Sequence, residues 1–201
     1  MSNQKYMSTR DTGTEQLIRD TAKHLFFAEG KLHATTQEIA DAAGVNRTLV
    51  NYYFRSRDIL FDQVFNEAQE VFSSTLDEVF ESSMPFKEKI RNLINVFIEE
   101  TTQYPYRQLF IITEMNRDLV LHSKRSRVNK VKSFIEEIQL EMDNGELRKM
   151  DPRQFIINLF SLMAHPLITA PLQQAIFGMN DDEYAKLMED RKELIFETIF
   201  R

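Results

Sequence analysis

Apolar residues along the chain recur almost everywhere at the three-to-four-residue spacing of an amphipathic helix, and nowhere with the alternation of a strand. Leu17, Ile18, Ala22, Leu25 and Phe26 mark a first helix, ended by Gly30. Thr35-Thr36-Gln37-Glu38 matches a capping box, so a second helix starts there and breaks at Ala43-Gly44-Val45. Asn46 caps a short third helix, Arg47 to about Tyr53, and Ser56 caps a long fourth one running to about Phe80. The stripe of that fourth helix is Phe61, Val64, Phe65, Ala68, Val71, Phe72, Thr75, Leu76 and Val79. Pro85 opens a fifth helix carrying Ile90, Leu93, Ile94, Phe97 and Ile98, and Pro105 divides it from a segment with Leu109, Phe110, Ile112, Thr113 and Met115. A further helix with Val128, Val131, Phe134, Ile135 and Ile138 stops near Asn144-Gly145. Asp151-Pro152-Arg153-Gln154 and Asn180-Asp181-Asp182-Glu183 each combine a cap with a first-turn signal for the last two helices. The pattern predicts an all-α protein of about nine helices.

Composition supports that reading. In 201 residues there are five Gly and five Pro, too few for a sheet built on tight turns. There is no Cys, which excludes disulfides, zinc-thiolate sites and thiol catalysis. Met1 to Gly13 is polar and lacks the apolar centre of a signal peptide, so a cytoplasmic location is expected and residues 1–13 read as a flexible arm. From Gln154 to Asn180 no Asp, Glu, Lys or Arg occurs, a length that could cross a bilayer. Pro166 and Pro171, with Gln154, Asn158, His165, Gln173 and Gln174, interrupt it, so it reads instead as a helix buried by the body of the protein and a second subunit, without a membrane partner. The two prolines should kink it.

The overall charge of −6 argues at first against a nucleic-acid partner. Its distribution changes that. Residues 1–57 hold eight Lys and Arg against six Asp and Glu, a net +2, which leaves −8 on the remainder. Within the basic head lies Thr36 to Phe54, TQEIADAAGVNRTLVNYYF. Ile39 and Val50 supply apolar contacts between two short helices, and Ala40 is small where they approach. Gly44 permits a left-handed turn and Val45 plugs the angle behind it. These are the requirements of a helix-turn-helix, whose second helix lies in the DNA major groove. Arg47, Thr48, Asn51 and Tyr53 are residue types that read base edges or hold phosphates.

Residues 14–60 resemble the DNA-binding head of tetracycline-repressor (TetR) type transcriptional regulators. The resemblance runs through Leu25-Phe26-Phe27-Ala28-Glu29-Gly30, Thr35 to Ala40, Ala43-Gly44-Val45, Leu49 to Phe54 and Arg55-Ser56-Arg57-Asp58-Ile59-Leu60. It implies a helix-turn-helix DNA-binding domain over 1–57, followed over 58–201 by a helical ligand-binding and dimerisation domain. Arg47 and Asn51 are the expected base readers, a guanidinium suiting guanine and an amide suiting adenine. Thr48 would touch a thymine methyl or a phosphate; Thr36, Gln37, Tyr53 and Arg57 would contact the DNA backbone. Tyr52 and Phe54 are expected in the core of the head. Where the family often has Gly-Thr-Leu-Tyr in the recognition helix, this chain has Thr48-Leu49-Val50-Asn51, so base preference does not carry over.

One head makes few phosphate contacts, so useful specificity needs two heads on a palindromic site in double-stranded DNA. The helices 151–178 and 181–200 are the expected homodimer interface, with Phe155, Leu159, Leu162, Met163, Ile195 and Ile199 exceeding what one modest domain need bury. The Phe- and Met-rich body, with Thr113, Asn116, His122, Asn158 and His165 interspersed, suits a small, largely apolar effector. The expected function is therefore a homodimeric repressor released from its operator by that effector. No cofactor or metal is implied. Nor is an enzyme: there is no Gly-rich phosphate loop, G-x-S-x-G or H-E-x-x-H, and Glu99-Glu100 and Glu136-Glu137 read as solvated helix faces. The alternative, a helical adaptor without DNA, leaves Arg47 and Asn51 without a purpose.

Overall fold

The structure, a computed structural model, describes residues 12–114 and 125–200, all helix and connecting turn. The predicted arm with Lys5 and Arg10, together with Met115, Asn116 and His122, lies outside the described residues. Ten helices follow one another: α1 Thr12–Lys23, α2 Thr36–Ala43, α3 Arg47–Phe54, α4 Arg57–Glu81, α5 Phe86–Gln103, α6 Pro105–Glu114, α7 Arg125–Asp143, α8 Pro152–Ile168, α9 Ala170–Phe177 and α10 Asp181–Ile199. They fall into two compact units, divided after Ala68.

In the first unit, α1 runs on as one π-helical turn, His24–Ala28, closed by the Glu29 N–H on the His24 carbonyl at 3.1 Å. Leu25, Phe26 and Phe27 are all buried there. A regular turn would sweep three successive residues through about 200°; the wider π turn shortens that arc and lets all three face inward. Phe26 and Phe27 meet Phe61 at 4.9 and 6.2 Å, and Phe27 meets Phe65 at 6.3 Å between ring centres. These contacts explain why the unit extends past residue 57. The first turns of α4 bury Leu60, Phe61, Val64 and Phe65, so the head is closed by α4 rather than ending before it.

The second unit has its own core, in which Ile90, Leu93, Ile94 and Phe97 of α5 meet Phe134, Ile138 and Met142 of α7, Phe155, Leu159 and Met163 of α8, and Tyr184, Met188 and Ile195 of α10. Two cations are buried in it. Lys89 Nζ lies 2.8 Å from both carboxylate oxygens of Glu137, and Arg107, 1% exposed, faces Glu100 at 3.4 Å. One member of each paired carboxylate therefore turns inward to a buried cation, a correction to the solvated faces expected from sequence. The other members, Glu99 and Glu136, are exposed.

The uncharged stretch divides into α8 and α9, bent by 69°. Pro166 itself sits inside α8 without ending it. The Leu162 carbonyl that its missing N–H leaves open accepts instead from Arg191 Nε of α10 at 3.1 Å, and the Pro166 carbonyl accepts from the Tyr184 hydroxyl at 2.7 Å. The break comes at Thr169, two residues before Pro171, which opens α9. This break accounts for the helix not counted from sequence. Among the described residues no single helix is long and apolar enough to cross a membrane.

Candidate nucleic-acid interface

The geometry of α2 and α3 follows from their ends. Thr35 Oγ1 accepts from the Glu38 N–H at 3.2 Å, while the Glu38 carboxylate accepts from the Thr35 N–H at 2.7 Å. That backbone N–H, with the Thr35 hydroxyl, holds the Glu38 carboxyl below the usual carboxylate range. At the other end of α2, Gly44 takes φ +65°, and two bonds close a left-handed cap: Gly44 N–H to the Asp41 carbonyl at 3.2 Å and Val45 N–H to the Ala40 carbonyl at 3.0 Å. Any residue with a Cβ would be strained at this φ, which is why the turn takes glycine. Asn46 Oδ1 then accepts from the Thr48 N–H at 2.8 Å and starts α3 one residue later. Two short helices are thus locked at a tight angle, with Ile39, Ala40, Val50 and Phe54 fully buried.

The inward positions of α3 are Val50, Tyr53 and Phe54, at i, i+3 and i+4. Its opposite side carries Arg47, Thr48, Asn51 and Tyr52, all exposed. The side chains of Arg47, Thr48 and Asn51 make no hydrogen bond or ion pair among the described residues. A cation, a hydroxyl and an amide are therefore held on a rigid helix with their hydrogen-bonding capacity unspent. In the first turn of α2, Thr36 is half-buried and Gln37 exposed. The Gln37 amide is engaged with Asp41 Oδ1 at 2.7 Å.

Two expected DNA-backbone contacts are placed differently. Tyr53 is 9% exposed and packs its ring against Tyr52 and Phe54, with centres 5.2 and 6.3 Å away. The Arg57 guanidinium lies over the rings of Phe61 at 4.8 Å and Phe26 at 5.3 Å, and its Nε donates to the Ala34 carbonyl at 3.4 Å. Both side chains serve the packing of the head. Conversely, Tyr52, expected in the core, is 59% exposed. The signal was in the sequence: counting i+3 and i+4 from Val50 selects Tyr53 and Phe54 and leaves Tyr52 outside.

The outward face of the last helices also differs from expectation. Phe155, Leu159, Met163 and Ile195 are buried within the chain's own core, and Leu162 and Ile199 half-buried. The exposed apolar residues are instead Ile157 on α8, Leu172, Ile176 and Phe177 on α9, and Leu187 and Leu194 on α10. Asn158 lines a cleft of about 450 Å³ with Arg148, Phe155, Ser161 and Thr198, while His165 borders a shallower one with Arg191. Among the described residues no group of His, Cys, Asp and Glu is arranged to hold a metal.

Residues 18–64 match the family model described as bacterial regulatory proteins, tetR family. The chain is 25% identical over 181 residues to the HTH-type transcriptional regulator RutR of Escherichia coli K12, spanning 86% of this chain and 84% of that protein. It is 26% identical over 200 residues to the probable HTH-type transcriptional regulator YttP of Bacillus subtilis, 94% of either chain. A TetR-family regulator from Haemophilus influenzae has the same fold at a TM-score of 0.57 and 16% identity, covering 96% of this chain and all of that one. PfmR, a TetR-family regulator of Thermus thermophilus, shares it at a TM-score of 0.55 and 16% identity, over 97% and 99% of the two chains. With its capped helix pair and the outward polar face of α3, the chain carries in residues 18–64 the domain of the tetR family of bacterial regulatory proteins, and over most of its length it is similar to HTH-type transcriptional regulators.

Proposed function

We propose that the protein is a homodimeric repressor that holds a palindromic operator with two recognition helices and leaves it when a small effector binds. The observation that carries this reading is the unspent polar face of α3. Arg47 and Asn51 read base edges, each for about 1–3 kcal/mol of discrimination. Thr48 meets a thymine methyl or a phosphate. Thr36, Gln37 and the exposed Tyr52 hold phosphates, Thr36 beside the positive end of α2. Tyr53 and Arg57 keep those groups in register from behind.

Dimerisation is supported by the apolar residues that α8, α9 and α10 leave exposed, Ile157, Leu194, Leu187, Ile176 and Phe177 among them. A twofold interface there would present two copies of the head to the two half-sites of a palindrome. The effector reading rests on α5 and α6. Thr101 Oγ1 and Gln108 Nε2 are buried with no hydrogen-bond partner among the described residues, in the same pair of helices as the buried Arg107–Glu100 contact. Buried polar groups left open cost stability unless something pairs with them. They suit an effector that carries polar groups on an apolar frame. Such an effector releases DNA only if it binds better to a form whose heads no longer match the operator.

Selection of bound sequences from random duplex DNA at near-physiological salt tests the reading, with Asn51→Ala run alongside. A palindromic consensus that the variant loses, while keeping its helicity and dimer, is the expected result. Unchanged selectivity in Asn51→Ala overturns the assignment of α3.

A further inference from the structure

Among the described residues Arg55 is the one non-glycine residue with a positive φ. Its backbone, at φ 62° and ψ −43°, is the centre of a γ-turn: the Ser56 N–H donates to the Phe54 carbonyl at 2.7 Å. This hand of the γ-turn is the rare and strained one. Arg55 also closes the last turn of α3 with its own N–H on the Asn51 carbonyl at 2.9 Å, so the chain passes from recognition helix to α4 within two residues. Glycine would meet this backbone without strain, as Gly44 does at the preceding turn. Nor does the arginine side chain repay the strain inside the fold. It is exposed and makes no hydrogen bond or ion pair among the described residues.

Resting on the DNA-binding reading above, we propose that Arg55 is a phosphate anchor at the rear of the recognition helix, held toward the DNA strand by the γ-turn. Strained backbone of this kind persists where its surroundings over-determine it, and it concentrates at binding sites. The placement fits. Arg47 and Arg55 are eight residues apart, about 12 Å along a helix axis, which is about the width of the major groove. When the front of a recognition helix reads bases, its rear reaches the sugar-phosphate strand. The next cation along the chain, Arg57, is already stacked on Phe26 and Phe61, and its Nη1 lies 3.2 Å from the exposed Asp58 carboxylate. Of these two neighbouring arginines, Arg55 is the one whose charge is left for a phosphate.

The test compares the full-length protein with Arg55→Gln, Arg55→Lys and Arg55→Gly, measuring Kd against salt on the selected operator and on an unrelated duplex. Loss of one phosphate contact flattens the log-log slope by about 0.9 per head, about 1.8 for two heads. Arg55→Gln and Arg55→Gly should show this flattening and weaken both duplexes alike, while Arg55→Lys keeps the parental slope. Arg55→Gly should also melt no lower than the parent, since glycine relieves the turn. A parental slope in Arg55→Gln overturns the anchor, and so does a loss confined to the operator, which would make Arg55 a base reader. A lower melting point for Arg55→Gly overturns the strain argument. If the parent itself binds no duplex, or binds with a flat salt dependence, the DNA-binding reading fails and takes the anchor with it.

Discussion

Arg57→Ala separates a structural role from a DNA contact at the most ambiguous of the predicted site residues. Its side chain is 26% exposed, and the guanidinium lies over two aromatic rings, at 4.8 and 5.3 Å from their centres. Each such contact contributes about 0.5–1 kcal/mol where partly exposed. The 3.4 Å bond to the Ala34 carbonyl is long and adds about 0.5 kcal/mol. The aliphatic stem loses packing as well. Together these place the cost of truncation at about 2 kcal/mol, confined to the first unit. Hydrogen exchange of the α2 and α3 amides, followed by mass spectrometry, reads that loss locally: 2 kcal/mol of easier opening is roughly 30-fold faster exchange. Arg57→Lys is the control. It keeps the charge a phosphate would see but loses the planar face that stacks on Phe26 and Phe61, so exchange should accelerate here too. Exchange in Arg57→Ala within twofold of the parent would refute the packing role. Arg57 would then return to the DNA surface, and its stacking would be incidental.

Two further outcomes follow from other parts of the molecule. Leu194, 54% exposed on α10, belongs to the proposed dimer face, so Leu194→Glu should yield a monomer by light scattering with its helicity intact; a persisting dimer would place the interface elsewhere. Asp151, the cap of α8, is held at a pKa of about 2 by the Arg153 side chain and backbone N–H. Because the folded value is depressed below the ordinary 3.8, its stabilising contribution is complete above that pH and is lost as pH falls through about 2. A carboxyl NMR titration should find that midpoint, moving up toward 3.8 in Arg153→Ala. A midpoint already near 3.8 in the parent would show the pair to be open in solution.

Much of this architecture was legible before any coordinate, and the reason is local. Caps and breaks depend on a few adjacent residues. Thr35 with Glu38, Asn46, Asp151, and Asn180 with Glu183 all form the side-chain caps their spacing implies, and Gly44 adopts the left-handed turn that a helix-turn-helix needs. The outward set Arg47, Thr48 and Asn51 follows from helical periodicity once Val50 is taken as buried.

What sequence could not decide was which of several equally apolar or equally charged neighbours faces inward. Tyr52, Tyr53 and Phe54 are three aromatics in a row, and the helical count that leaves Tyr52 outside starts from Val50, whose inward place the packing of α3 fixes. Arg57 looked like any basic residue of the head until two phenylalanines, thirty-one residues before it and four after it, closed around its guanidinium. Phe155, Leu159 and Met163 read as a surplus for a partner, yet α5, α7 and α10 of the same chain consume them and leave Ile157 and Leu194 outside. The place of the bend in the uncharged stretch is of the same kind. Pro166 is tolerated within α8, in a segment where Arg191 and Tyr184 of α10 satisfy the carbonyls of Leu162 and Pro166, so the turn waits for Thr169. Local chemistry determined where the capped helices begin and where α2 ends; long-range packing decided which face each helix buries and where α8 gives way to α9, because both depend on partners that sequence neighbours do not supply.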